Sequence, residues 1–190
     1  MKKVCFVTVG ATAPFPDLIR AVTQVQFLEK LGKNNFTQLI IQHGTYGRVE
    51  LETFLATHGD SDGRIHGVRM SGFAFTSDVD YYMHLATERR KDGQELGLVI
   101  SHAGTGTILE AMRCGAPLVI VPNPALANNH QQELAMQMEN LGYGVMSWAE
   151  DIISAVDKAT EQLVKRCSAI EDTGEVDVKN AMRDQLSYVD

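Results

Sequence analysis

The sequence predicts an α/β fold built on a doubly wound, mostly parallel sheet. Short β-branched and apolar runs, typical of buried parallel strands, alternate along the chain with segments whose apolar residues recur at helical spacing. Turns rich in Gly, Thr or Pro follow several of these strands. Repeated β-α-β order gives right-handed crossovers and helices on both faces of the sheet, which is a Rossmann-like architecture.

Six strands and six helices are expected in order along the chain. Pro16 suits the first turn of the first helix, and Asp78 is a good N-cap for the helix that starts at Val79. The predicted strands cover residues 4–9, 36–42, 66–73, 96–101, 117–121 and 144–147. The predicted helices cover residues 16–31, 49–56, 79–87, 105–114, 131–141 and 149–166.

Length and composition indicate one main domain and a short tail. With 190 residues, of which 44% are hydrophobic, the chain is long enough to bury a substantial core. We place the domain at residues 1–167 and the tail at residues 168–190. An apolar stripe at helical spacing predicts that the tail either docks on another protein or folds back on its own domain. The stripe consists of Val178, Met182, Leu186 and Val189.

Charge and cysteine content argue against several classes of protein. A net charge of −7 disfavours nucleic acid as the main ligand and unaided binding to an anionic membrane. The apolar runs have the length of strands, so no transmembrane helix is expected, and residues 1–3 lead into a strand without a signal-peptide pattern. Cys5, Cys114 and Cys167 are far apart and odd in number, which is typical of reduced thiols in a cytosolic protein rather than of disulfides or a zinc site.

The turn after the fourth strand carries the strongest chemical pattern. Its two glycines let a backbone approach a ligand closely, and its two threonines add hydroxyl groups. The helix that begins there presents free N–H groups and the positive end of its dipole to a diphosphate. Glu110, inside that helix, can accept two hydrogen bonds from a ribose diol. The turn consists of Gly104, Thr105, Gly106 and Thr107.

Three such segments fall at the carboxyl edge of the predicted sheet, where ligands bind in doubly wound folds. Residues 10–15 follow the first strand, residues 104–107 the fourth and residues 128–133 the fifth. No Gly-Lys-Ser/Thr is present, which excludes a P-loop, and no G-x-G-x-x-G follows the first strand, which disfavours a dinucleotide site. The three segments together predict a nucleotide site of another kind.

These segments resemble the donor site of family-28 glycosyltransferases. The stretch from His102 to Glu133 is similar to the donor-site signature of that family, and residues 6–16, 39–44 and 100–106 also fit it. Over residues 4–148 the chain resembles in particular the small donor-binding subunits of the UDP-N-acetylglucosamine transferases of the dolichol-linked oligosaccharide pathway. The resemblance implies the C-terminal half of a GT-B transferase, with a separate membrane-anchored subunit as the acceptor half.

The resemblance also implies roles for individual residues. Glu110 falls where the family's acid holds the ribose hydroxyls, and Phe73 falls where a backbone N–H and C=O read the uracil edge. The turn at 104–107 meets the diphosphate with residues 10–12 facing it, and the glutamines at 131–132 contact the sugar hydroxyls. The implied donor-binding set is Gly10, Ala11, Thr12, Phe73, His102, Gly104, Thr105, Gly106, Thr107, Glu110, Asn129, Gln131 and Gln132.

The implied chemistry is inverting glycosyl transfer without a metal. The 4-hydroxyl of an N-acetylglucosamine on dolichyl diphosphate attacks C1 of UDP-N-acetylglucosamine, and backbone amides hold the leaving UDP. No cofactor and no tightly bound metal are expected, because Asp78-Val79-Asp80 is interpreted as a helix start rather than as a metal motif. His43 and His102 are the weak candidates for a general base in this chain, and the partner subunit is the other source.

Two other functions stay open at this point. One is the donor-binding subunit of a transferase for another lipid-linked sugar, and the other is a non-catalytic nucleotide-sugar-binding module. In the transferase interpretation, we expect the chain in the cytoplasm and, recruited by its partner, at the cytosolic face of the endoplasmic reticulum.

Overall fold

The computed structural model contains a seven-stranded sheet with helices on both faces. It describes residues 1–11, 13–87, 93, 95–126 and 129–173, and only the backbone of residues 163–173. The strands are β1 (Val4–Thr8), β2 (Gln38–Gln42), β3 (Arg64–Ile65), β4 (Val68–Phe73), β5 (Leu98–His102), β6 (Leu118–Val121) and β7 (Val145–Met146). The helices are α1 (Pro16–Val22), α2 (Val25–Lys33), α3 (Arg48–His58), α4 (Val79–His84), α5 (Thr105–Cys114), α6 (His130–Asn140) and α7 (Ile152–Thr173), the last preceded by a 3₁₀ turn at Ala149–Asp151.

The strand order is β3-β4-β2-β1-β5-β6-β7, and every pair except β3 with β4 is parallel. The first strand lies in the middle, with Val4 opposite Gln38 of β2 and Cys5 opposite Leu98 of β5. The chain winds outward from β1 in one direction and then returns to β5 to wind in the other. The gap between the carboxyl ends of β1 and β5 is therefore the topological switch point, which confirms the doubly wound prediction.

Two apolar layers hold the sheet, one on each face. Alternate residues of a strand point to opposite faces, so Cys5 and Val7 join one layer and Phe6 joins the other. The first layer packs against α1, α2, α3 and the start of α7, and the second packs against α4, α5 and α6. Because both faces are covered, the central strands are buried on both sides, as their continuous apolar runs predict.

The prediction of a single helix over residues 16–31 is wrong, because α1 ends at Val22 and α2 begins at Val25. The Oγ1 of Thr23 donates to the carbonyl oxygen of Ile19 at 2.7 Å, and Gln24 is extended. A Thr hydroxyl that bonds the backbone of the preceding turn competes with regular helix continuation, and β-branched Val22 and Thr23 are weak helix formers. Both segments still place their apolar residues on the same layer.

The prediction of a strand over residues 66–73 is wrong at its start. His66 (φ 50°) and Gly67 (φ 78°) form a two-residue turn between β3 and β4. Two central residues with positive φ match the twist of an antiparallel pair, so this turn creates a short hairpin at the sheet edge. The two-residue strand β3 is too short to show an alternating pattern in the sequence.

The chain divides into two compact units, residues 1–160 and residues 161–190. Helix α7 continues to Thr173, beyond its predicted end at Arg166, so the predicted domain boundary at 167/168 falls inside this helix. The apolar stripe of the tail, residues 178–189, lies outside the described residues. Within the part of the chain that is described, no helix has the length and apolar character needed to cross a membrane.

Candidate functional site

The switch point brings the turn after β1 against the end of β5, with the ring of His102 between them. A Cβ added to Gly10 would lie 2.3 Å from Cε1 of His102, and a Cβ added to Gly104 would lie 2.3 Å from Nε2. The space at Gly10 and Gly104 is therefore filled by the imidazole rather than by a ligand. At Gly106, by contrast, an added Cβ would meet no atom within 4 Å, so this is the glycine of the turn that is open to a ligand.

His102 is neutral near pH 7, because burial of its imidazole lowers its pKa below the usual histidine range. Its Nδ1 is buried and has no hydrogen-bond partner among the residues that the structure describes. A neutral imidazole brings no positive charge to a diphosphate, so the geometry assigns His102 to positioning the two turns.

Thr8 links the same turn to the next strand. Its Oγ1 donates to Oε1 of Gln42 at 2.5 Å and accepts the N–H of Gly10 at 3.1 Å. Gly10 itself has a φ of +73°, a conformation in which L side chains are strained. The backbone of Gly10 is thereby fixed at the carboxyl end of β1, against the ring of His102.

The start of α5 is an uncapped helix N-terminus. Gly104 is the extended N-cap residue and offers no side chain, and the first turn contains no acidic residue. Thr105 and Gly106 are exposed there. The first N–H groups of a helix lack intrahelical acceptors and carry the positive end of its dipole, so this end of α5 is suited to bind an anion.

Glu110 lies about one and a half turns further along α5. Its Oε2 forms an ion pair with Nη1 of Arg113 at 3.3 Å, and its side chain is 31% exposed. Arg113 thus holds the carboxylate of Glu110, and both residues lie on α5, the helix whose N-terminus is uncapped.

The loop between β6 and α6 is tied to the turn after β1 by Asn123. Its Nδ2 donates to the carbonyl oxygen of Pro14 at 3.1 Å, and its backbone N–H donates to Oε1 of Gln131 at 2.9 Å. Asn123 is buried, Gln132 is half-buried and Asn129 is exposed at the start of α6. Sequence reasoning missed Asn123, although a polar residue in Pro-Asn-Pro directly after a buried strand is a usable signal for a structured turn.

At the end of β4, Phe73 is half-buried against the second apolar layer. Its ring centroid lies 4.4 Å from that of Tyr82, and its carbonyl oxygen accepts the N–H of His43 at 3.0 Å. Phe75, two residues further on, is 52% exposed and, with Tyr46, Gly10 and other loop residues, lines a cavity of about 100 Å³. Sequence reasoning missed Phe75 and Tyr46, whose signal is a large aromatic residue in a loop at the carboxyl edge of the sheet.

His43 is a buried core residue. Its Nδ1 lies 2.7 Å from the carbonyl oxygen of Gly44, and a Cβ on Gly47 or Gly72 would contact it. A ring enclosed in this way does not face the crevice between β1 and β5, so the geometry gives no support to His43 as a general base.

The structure therefore separates the predicted site residues into groups. The ring of His102 contacts both Gly10 and Gly104, residues 105–107 and Glu110 follow Gly104 on α5, and Ala11 lines the small cavity beside Gly10. Asn129, Gln131 and Gln132 begin α6, Phe73 packs against Tyr82, and Thr12 lies outside the described residues.

The interpretation of Asp78 as a helix cap is confirmed. Its Oδ1 accepts the N–H of Tyr81 at 3.1 Å at the start of α4. Asp80 points elsewhere, toward His84 and Cys114. The two acids of the D-x-D pattern therefore face different partners, which does not match a shared metal site.

Comparison with known proteins gives both a family and a fold. The glycosyltransferase family 28 C-terminal domain matches residues 4–185. The UDP-N-acetylglucosamine transferase subunit ALG13 of Eremothecium gossypii is 31% identical over 177 residues, which cover 84% of this chain and 83% of the relative.

Two solved structures have the same architecture. The NMR solution structure of ALG13 superposes with a TM-score of 0.59 at 28% identity and covers 84% of both chains. The crystal structure of Acinetobacter baumannii MurG superposes with a TM-score of 0.54 at 19% identity, covering 86% of this chain and 45% of MurG, and shows the fold alone.

Proposed function

The chain belongs to the glycosyltransferase 28 C-terminal domain family. We propose that it is the donor-binding subunit of a UDP-N-acetylglucosamine transferase. The reaction is the addition of the second N-acetylglucosamine to N-acetylglucosaminyl-diphosphodolichol. One observation carries the proposal: the uncapped start of α5 lies at the switch point, with Glu110 on the same helix.

The diphosphate of the donor binds at the start of α5. The N–H groups of residues 105–107 donate to its oxygens, and the helix dipole favours their negative charge. Gly106 leaves room for this approach because no atom lies within 4 Å of its Cβ position. The backbone of residues 10–11 closes the opposite side of the crevice.

The nucleoside and the sugar bind on either side of the diphosphate. Glu110 accepts hydrogen bonds from the ribose hydroxyls while Arg113 holds its carboxylate. Gln132 and the amide of Gln131 contact the hydroxyls of N-acetylglucosamine, and Asn123 holds Gln131 in place. Tyr46 and Phe75 are the large aromatic residues exposed beside Gly10, whereas the ring of Phe73 packs against Tyr82.

Transfer proceeds with inversion at C1 of the donor sugar. The acceptor 4-hydroxyl attacks C1, the bond from C1 to the diphosphate oxygen breaks, and UDP leaves with its new charge at the start of α5. His43 is enclosed and His102 lies between Gly10 and Gly104, so we place the general base in the acceptor half of the enzyme. The amides and the dipole replace a metal at the diphosphate.

The acceptor half is a membrane-anchored partner subunit. Support comes from the relative, whose name describes a transferase subunit. The partner brings the chain from the cytoplasm to the cytosolic face of the endoplasmic reticulum, where the dolichyl-diphosphate acceptor lies.

Calorimetric titration of UDP into Gly106→Asp and Gly106→Asn variants tests the proposal. The Cβ of an Asp here meets no atom within 4 Å and an acidic residue favours a helix start, so we expect folding to be preserved. We expect Gly106→Asp to weaken UDP binding at least about tenfold, because its carboxylate repels the diphosphate, while the neutral Gly106→Asn retains more affinity. Wild-type affinity for UDP in Gly106→Asp would place the diphosphate elsewhere.

A further inference from the structure

Asp80, His84 and Cys114 form a triangle of possible metal ligands between α4 and α5. Asp80 and His84 are four residues apart and share one face of α4, while Cys114 is the last residue of α5. Buried Met83 and Ala111 belong to the same apolar layer and hold the two helices together. The three side chains therefore meet because of packing that does not depend on them.

The three ligand atoms have the spacing of a tetrahedral zinc site. Nε2 of His84 lies 3.4 Å from Oδ1 of Asp80, and Sγ of Cys114 lies 3.4 Å from the same oxygen and 3.8 Å from the same nitrogen. With a Zn–S distance of about 2.3 Å and Zn–N and Zn–O distances of about 2.0–2.2 Å, tetrahedral geometry requires edges of about 3.6 Å to sulfur and about 3.4 Å between nitrogen and oxygen. One ion can reach all three atoms with little movement.

From this geometry we propose that Asp80, His84 and Cys114 bind a Zn²⁺ ion. Thiolate and imidazole select zinc over magnesium or calcium, and a carboxylate completes a set of three protein ligands. Asp80 and His84 are partly exposed, so a water molecule occupies the fourth position. On binding, the thiol of Cys114 loses its proton to solvent and the thiolate coordinates the metal.

The charge around the triangle favours a cation. Sγ of Cys114 lies 3.4 Å from Oδ1 of Asp80 and donates its thiol proton to that negatively charged carboxylate. Glu110, one helical turn before Cys114, adds a further negative charge, which Arg113 offsets in part. A divalent cation that replaces the thiol proton neutralises the charges of the Asp80 carboxylate and the Cys114 thiolate.

This zinc site lies away from the diphosphate end of the donor site. Cys114 lies nine residues after Thr105, about 14 Å along α5, so the ion does not contact a diphosphate at the helix start. Its effect is to link the end of α5 to α4, and the proposal stands independently of the bound nucleotide. The thiol was assigned to an ordinary reduced cysteine from the sequence because its partners lie thirty or more positions away.

Cobalt and zinc titrations of the purified, metal-stripped full chain test the site. Co²⁺ should bind one ion per chain and give the thiolate charge-transfer band and the intense visible bands of a tetrahedral complex. Cys114→Ser should abolish the charge-transfer band and weaken zinc binding by about 100-fold or more, since losing an outer-shell partner already costs about 10–100-fold. Zinc should raise the melting temperature of the wild-type chain and not that of Cys114→Ser.

Matched variants separate this site from other ligands. Cys167→Ser tests the remaining cysteine outside β1, and His130→Gln removes an exposed histidine that lies beside Glu133. Both should retain the cobalt spectrum, whereas Asp80→Asn and His84→Gln should weaken metal binding and thereby report on the site even if Cys114→Ser fails to fold. A wild-type chain without a tetrahedral cobalt spectrum, or a spectrum lost in Cys167→Ser, would overturn the proposal.

Discussion

At the scale of single residues, His102 and Glu110 have separate tasks on the two sides of the α5 start. The imidazole of His102 sets the distance between the turns after β1 and β5. The carboxylate of Glu110 lies beyond the turn, paired with Arg113, and is the group we assign to the ribose. In this account His102 shapes the crevice and Glu110 binds the ribose. Substitution of His102 should therefore change stability, and substitution of Glu110 should change the affinity for UDP.

Glu110→Ala should weaken UDP binding without unfolding the chain. Loss of charge-assisted hydrogen bonds to the ribose costs on the order of 1.5–3 kcal/mol, or about 10- to 150-fold in Kd measured by calorimetry. Arg113→Ala is the matched control, because it breaks the same ion pair but leaves the carboxylate. Equal UDP affinity in Glu110→Ala and wild type would remove Glu110 from the site.

His102 should make the protein less stable as the pH falls below about 6.5. Its pKa is lowered in the folded state by burial, so the unfolded chain takes up a proton at a higher pH than the folded chain does. The stabilising contribution is complete above the unfolded pKa and is lost progressively as the pH falls from the unfolded pKa to the lowered folded pKa. Urea unfolding between pH 7.5 and 5.5 should show a smaller loss of stability in His102→Gln than in wild type.

Exposed His130 provides the control for that pH series. His130→Gln should keep the wild-type pH dependence, because it leaves His102 in place. A pH dependence that is the same in wild type and His102→Gln would show that the buried ring does not control acid stability.

At the scale of elements, the junction of β5 and α5 depends on steric fit as much as on chain flexibility. Gly104 has an ordinary φ of −88°, so the obstacle to an alanine there is steric, and the atoms nearest to its Cβ position belong to the ring of His102. Gly106, in the first turn of the same helix, has no such neighbour. These two glycines, two positions apart, therefore offer a matched test.

Gly104→Ala should destabilise the protein by about 1–3 kcal/mol in urea unfolding, as overpacking does elsewhere. Gly106→Ala should be neutral or stabilising by up to about 1 kcal/mol, since alanine is the better helix former. In the double variant Gly104→Ala/His102→Ala, the cost of Gly104→Ala should largely vanish, because the clashing ring is gone. Strictly additive effects would contradict the steric explanation.

The elements that the sequence predicted are those whose apolar pattern is long and local. The central strands were predicted because both faces are buried, and the cap at Asp78 because its acceptor role is set within three residues. The break at Thr23 was missed because the apolar stripe continues through it onto one layer. The β3 hairpin was missed because a strand of two residues is too short to show an alternation of apolar and polar residues.

In the candidate site, too, features that depend on adjacent residues were predicted and contacts between distant residues were not. The open start of α5 and Glu110 could be read from adjacent residues, since a helix start has a local signal. The contact of His102 with Gly10 could not, because it joins residues 92 positions apart across the switch point. The link from Asn123 to Pro14 spans 109 positions and was missed for the same reason.

At the scale of the whole molecule, the crevice that we propose for the nucleotide lies at the switch point of the sheet, within residues 1–160. Exposed aromatic side chains at that edge, Tyr46 and Phe75, lie beside the crevice rather than behind the sheet. In our proposal a second subunit covers this edge and supplies the acceptor. In this proposal, transfer therefore depends on assembly of the chain with its partner subunit.

Deleting residues 176–190 should release the chain from membranes. The apolar stripe of this segment, outside the described residues, is the expected docking element for the partner. Membrane-associated transfer should be lost, while calorimetric binding of UDP by the truncated chain persists. A truncated chain that still cofractionates with membranes and retains full activity would rule out this segment as the docking element.

The most direct test of the central claim is a transfer assay with purified components. UDP-N-acetylglucosamine and N-acetylglucosaminyl-diphosphodolichol are supplied to the chain alone, to its membrane-anchored partner alone and to both, and the doubly glycosylated lipid is measured. We expect product only when both subunits are present, and none when the chain carries Gly106→Asp. Full activity of the chain alone, or product formed by the partner with the Gly106→Asp variant, would contradict the account.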